Sequence, residues 1–89
     1  MSALSLKVDG NGVAHALQAV QEKLKVAQGE VVLDFSSVCR VDPAALRAME
    51  SLADTVDGNG TKVVLRAVNV DIYKVLKLMK LAARFSFRA

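Results

Sequence analysis

Tryptophan is absent, and one tyrosine and three phenylalanines are the only aromatic residues among the 89 of the sequence. The core must therefore be aliphatic, drawn from Val, Leu, Ile, Met and Ala. The same scarcity argues against nucleic acid as a partner, because stacking requires aromatics set among basic residues. Cys39 is the only cysteine, which excludes an intramolecular disulfide and a cysteine-based zinc site. His15 is the only histidine, which removes most metal sites and weighs against a His-dependent catalytic set. No stretch approaches the roughly 18 consecutive apolar residues that span a bilayer. The N-terminus lacks the basic start and long apolar run of a secretion signal. These absences lead to the expectation of a cytoplasmic protein with no cofactor, no metal and no direct membrane insertion.

What is present points to a folded chain. Hydrophobic residues make up 53% and charged residues 24%, a balance that buries a core and leaves a solvated surface. The length suits one domain over residues 1–89. The net charge of +3 conceals an asymmetry, with five basic and eight acidic side chains in residues 1–61 but seven and one in residues 62–89. The basic third, with Lys74, Lys77, Lys80, Arg84 and Arg88, reads first as the solvated face of a terminal helix. An acidic protein patch is the next reading.

Leu4, Leu6 and Val8 alternate with Ser5 and Lys7, which predicts a half-buried strand closed by the turn residues "DGNG" at Asp9 to Gly12. Val13, Ala16, Leu17, Val20, Leu24 and Ala27 then form a helical stripe, with Gln21, Glu22, Lys23 and Lys25 on the wet side. Gly29 is expected to end that helix. "VVLDF" (Val31 to Phe35) reads as a central strand, and Leu46, Met49, Leu52, Ala53 and Val56 as a second helical stripe. That helix stops at a second "DGNG", Asp57 to Gly60. "KVVLRA" (Lys62 to Ala67) is another buried strand. Asn69 caps a third helix whose stripe is Ile72, Val75, Leu76 and Met79. Asp71 and Lys80 are placed to complement that helix's positive and negative ends. Phe85 and Phe87 mark a short final strand. The order β-α-β-α-β-α-β predicts an α/β fold, a small, mostly parallel sheet with packed helices.

Chemistry-bearing patterns are few. Neither "DGNG" has a phosphate-binding glycine spacing. Asp34 and Asp42 flank one connection, but each has a structural use. Asp34 ends a strand and accepts hydrogen bonds from the following loop, and Asp42 is an N-cap. Cys39 is expected to be a partly buried structural residue, although Arg40 and the nearby helix start would favour a thiolate. His15 falls between stripe positions and reads as a surface or boundary residue.

The junction "VDPAAL" has a clear physical basis. Aspartate is a favoured N-cap, and proline suits the first helical position because its missing N–H has no partner there anyway. Proline also pushes Asp42 toward the extended geometry that a cap adopts.

The run from Val31 to about Ala82 resembles the STAS domain of bacterial anti-sigma factor antagonists. The resemblance is carried by Asp34-Phe35-Ser36 at a strand end, Val41-Asp42 opening a helix, and "VNVDIYKVLKLMKLA" as the third helix. It implies a non-enzymatic switch acting in transcriptional regulation. In that family the position after the second aspartate is typically a serine, phosphorylated by a partner anti-sigma factor that is a serine kinase. A phosphate there would lie at a helix N-terminus and alter the charge of a docking surface.

Here that position is Pro43, followed by Ala44 and Ala45, so the resemblance implies a domain that is not phosphorylated at the usual site. Ser36 and Ser37 are the nearest hydroxyls. The third-helix segment is also similar to STAS accessory subunits that stabilise the ATPase of phospholipid ABC transporters in Gram-negative bacteria. Either way the expected partner is a protein. The expected contact surface is Ser36, Ser37, Arg40, Asp42, Pro43, Ala44, Arg47, Glu50 and Ser51, with Asp54 and the third-helix lysines beside it.

Overall fold

The alternation at the N-terminus folds as a strand, β1 (Ala3–Lys7), followed by helix α1 (Val13–Leu24). The computed structural model describes residues 3–24, 29–57 and 60–88. The order continues with β2 (Gly29–Asp34), α2 (Pro43–Val56), β3 (Thr61–Arg66), α3 (Val70–Leu78), a single 3₁₀ turn (Ala82–Arg84) and β4 (Ser86–Arg88). The expected ends of the first helix, including Lys25 and Ala27, and the middle of the second "DGNG" lie outside the described residues.

The four strands form one parallel sheet in the order β1-β2-β3-β4. Spatial order equals chain order, so every crossover steps in the same direction. Because such crossovers share one hand, the helices fall on one face of the sheet. The core shows this. Leu17, Leu24, Met49, Leu52, Ile72 and Leu76 of the helices cluster with Val31, Leu33, Val63 and Leu65 of the sheet. Val32 and Val64 belong to the opposite face and lie outside that cluster, yet they are only 7% and 2% exposed.

Helix ends follow local chemistry. Asn69 Oδ1 accepts the Ile72 N–H at 2.8 Å, capping α3 as the sequence predicted. The far end of α3 closes with Leu81 N–H donating to the Leu76 carbonyl at 2.8 Å and Lys80 N–H to the Lys77 carbonyl at 3.1 Å. This paired closure needs a left-handed residue, and Lys80 supplies it at φ 60° where glycine is the usual choice. The helix therefore stops one residue before Met79. That side chain is 52% exposed and not part of the buried stripe expected of it.

Two further expectations are corrected. Gln21 does not lie on the wet side of α1. Its Nε2 donates to Thr55 Oγ1 at 2.8 Å and to Ser51 Oγ at 3.2 Å, so it stitches α1 to α2. Cys39 is exposed instead of partly buried. Val38 beside it takes the buried position in that loop, at 3% exposed.

Candidate functional site

The segment between β2 and α2 is held by main-chain and carboxylate hydrogen bonds. Asp34, at the end of β2, accepts the Ser36 N–H on Oδ1 at 2.8 Å, and its other oxygen lies 3.5 Å from Arg66. The Ser36 hydrogen bonds hold the Asp34 carboxyl below its ordinary range, with smaller help from the charges of Arg66 and Lys7. Val38 N–H donates to the Phe35 carbonyl at 2.9 Å, closing a turn between two buried side chains. Ser36 and Ser37 stand exposed at its tip.

Two contacts from outside position this turn. Gly10, in the loop after β1, packs so tightly that an added Cβ would come within 2.0 Å of the Ser37 carbonyl oxygen. Asn69 Nδ2 donates to the carbonyls of Val38 at 3.4 Å and Cys39 at 3.0 Å while the same side chain caps α3. Only the cap has a local signal in the sequence. The second role has no local signal, since it depends on two segments thirty residues apart meeting beyond adjacent strand ends.

Asp42 adopts extended backbone (φ −93°, ψ 175°), and its Oδ1 accepts the Ala45 N–H at 2.8 Å. Pro43 is the first residue of the helix. Small side chains then divide the faces of α2. Ala45 and Ala48 are buried, whereas Pro43, Ala44, Arg47, Glu50 and Ser51 are exposed. Arg40 is exposed in the preceding loop.

The structure thus brings all nine candidate residues to the surface, along one loop and the first turns of one helix. Two members of the wider surface already have partners. Ser51 Oγ takes the Gln21 amide, and Asp54 pairs with Arg84 at 2.8 Å, a contact that with Asp57 ties the 3₁₀ turn to the end of α2. Next to Arg40 and Asp42 lies an open cleft of about 620 Å³, whose other wall is the Gly10–His15 segment at the start of α1. His15 is exposed there. Among the described residues, no group of three or more His, Cys, Asp or Glu is placed to hold a metal ion, and no helix is long and apolar enough to cross a membrane.

A strand-end aspartate, a tight turn and an aspartate-capped helix arranged this way are accompanied by a family match over residues 2–89, to the STAS domain. The chain belongs to the STAS domain family. A crystal structure from Thermotoga maritima, of a protein described as a candidate anti-sigma factor antagonist, is similar to it with a TM-score of 0.74 at 16% identity. The similarity covers 94% of this chain and 73% of that one. At that identity the likeness speaks for the fold. No protein with a curated description matches the sequence.

Within this STAS domain, Asp34-Phe35-Ser36 forms the strand end and turn, and Val41-Asp42 leads into the capped helix. Pro43 occupies the first helical position with an exposed ring. Neither it nor Ala44 or Ala45 carries a hydroxyl.

Proposed function

We propose that this STAS domain is a non-enzymatic protein-docking module, similar in role to an anti-sigma factor antagonist, that engages its partner through the Ser36–Asp42 loop and the exposed start of α2. The observation that carries this reading is the exposed helix start itself. Asp42 uses its carboxylate for the cap, and Pro43, Ala44 and Arg47 face solvent beside it. A short, rigid turn held by Asp34, Gly10 and Asn69 presents the loop in one geometry, which favours docking because little ordering remains to be done on binding.

Pro43 bears on how the module is controlled. A proline has no hydroxyl to phosphorylate, so docking here is constitutive at the position where the family is usually switched. That observation equally favours a permanent subunit, and the accessory subunit of a phospholipid ABC transporter is the second reading. In both readings the whole chain is one docking unit that works in the cytoplasm.

Affinity purification of the tagged chain from its native cell tests the two together. A serine kinase of the anti-sigma type supports the first reading and an ABC ATPase the second. Arg47→Glu is expected to weaken the recovered complex about tenfold or more without changing the fold. Unchanged affinity would remove α2 from the interface. Incubation with the recovered kinase and ATP is expected to leave residues 42–46 unlabelled, and label there would overturn the constitutive reading.

A further inference from the structure

A second surface, distant in sequence from the loop and helix just described, has the makings of an interface. Tyr73 of α3 meets Phe87 of β4 edge-to-face, with ring centroids 5.1 Å apart and planes at 80°. The two rings are shared by adjoining hollows of about 290 and 410 Å³ that run along β4. Val68 and Val70 line one hollow, and Ala82 and Ala83 the other. Lys77 and Lys80 stand over the second, with no acidic side chain in either lining. Among the described residues, neither lysine is in an ion pair.

Among the described residues β4 is the last strand of the sheet, so one of its edges has no neighbouring strand. Arg88 turns its carbonyl to β3, accepting the Ala67 N–H at 3.0 Å. In a parallel ladder the alternate residue points the other way, which directs the main-chain N–H and C=O of Phe87 to the open edge. An aromatic floor, free main-chain groups at a strand edge and unpaired lysines on one rim form a site for an extended chain.

We propose that this groove docks an extended, acidic segment of a partner protein, which adds alongside β4. An apolar side chain of the segment rests on Tyr73 and Phe87, and its carboxylates meet Lys77 and Lys80. Charge decides against a second copy of the same groove, since residues 62–89 carry seven basic side chains to one acidic. The strand edge decides against a lipid surface as the occupant, because the main-chain N–H and C=O of Phe87 pair with another extended chain and not with acyl chains.

The test uses a fluorescein-labelled ten-residue peptide alternating glutamate with valine and leucine, and its lysine counterpart, read by anisotropy and by amide chemical shifts. The acidic peptide is expected to bind, to perturb Val68, Tyr73, Phe87 and Arg88, and to weaken about tenfold with Lys77→Glu plus Lys80→Glu and with added salt. Both lysines are exposed, so the variant keeps the fold. The Arg47→Glu chain is expected to bind the peptide like wild type, which separates this groove from the surface at α2. Absence of binding at millimolar peptide, equal binding of the lysine peptide, or shifts confined to α2 would overturn the proposal. Lysine-dependent cosedimentation with phosphatidylglycerol vesicles without peptide binding would overturn it in favour of a membrane. Concentration-dependent dimerisation through β4 would overturn it in favour of self-association.

Discussion

Lys80 occupies a backbone position that chemistry reserves for glycine. Its φ of 60° lets the last carbonyls of α3 find partners, and an L side chain in that region costs about 1 kcal/mol. Lys80→Gly is therefore expected to stabilise the chain by about 1 kcal/mol, read as a higher urea midpoint at unchanged slope. No gain would mean that the side chain offsets its own strain through contacts. Asp34 makes a different kind of commitment. The Ser36 hydrogen bonds hold its folded pKa below the ordinary 3.8, so its contribution to stability is present above that value. The contribution is lost as the pH falls through the lower, folded value. Urea unfolding of wild type and Asp34→Asn across the acid range is expected to show a shallower acid limb in the variant. Parallel curves would show that the turn does not depend on the charge.

At the scale of elements, the order of the three α-helices and four strands followed from the apolar patterns in the sequence, whereas the early stop of α3 before Met79 and the 3₁₀ turn at Ala82–Arg84 had no apolar signal. Asp42, Pro43 and Asn69 all cap or start helices as their side chains dictate. What was not legible is how elements meet. Gln21 looked solvated because its own helix holds no partner for it, and its hydrogen bonds come from α2, thirty residues away. Asp54 looked free until Arg84 returned to it. The exposure of the nine candidate residues was legible from their polar or small side chains, but the contacts that fix their loop were not.

Gly10 is the clearest of these hidden contacts. Its place in a "DGNG" turn suggested only turn chemistry, whereas the added Cβ would lie 2.0 Å from the Ser37 carbonyl oxygen. Two stretches of main chain would have to part. Gly10→Ala is expected to cost about 1–3 kcal/mol by overpacking and to move the amide resonances of residues 36–42. Unchanged resonances there would show that the loops after β1 and β2 do not touch in solution.

For the whole molecule, winding all crossovers one way leaves a sheet face without helices. Lys7, Asp34, Arg66 and Arg88 form one charged row across that face, and Glu30 and Lys62 lie in another, with Val32 and Val64 between the rows. Arg88 reaches Glu30 at 3.2 Å from β4 to β2, so the pair passes over β3 near Val64. An exposed ion pair of this sort adds only about 0–1 kcal/mol to stability, and it lies over a row in which Val32 and Val64 are only 7% and 2% exposed. Replacing both members, Glu30→Leu with Arg88→Leu, joins the valines into a continuous apolar patch. The expected outcome is a chain with unchanged far-ultraviolet circular dichroism that elutes at a larger size than wild type as concentration rises. Glu30→Gln, which keeps the row polar, is expected to elute like wild type. If the double variant also elutes like wild type, the charged rows do not govern association through this face.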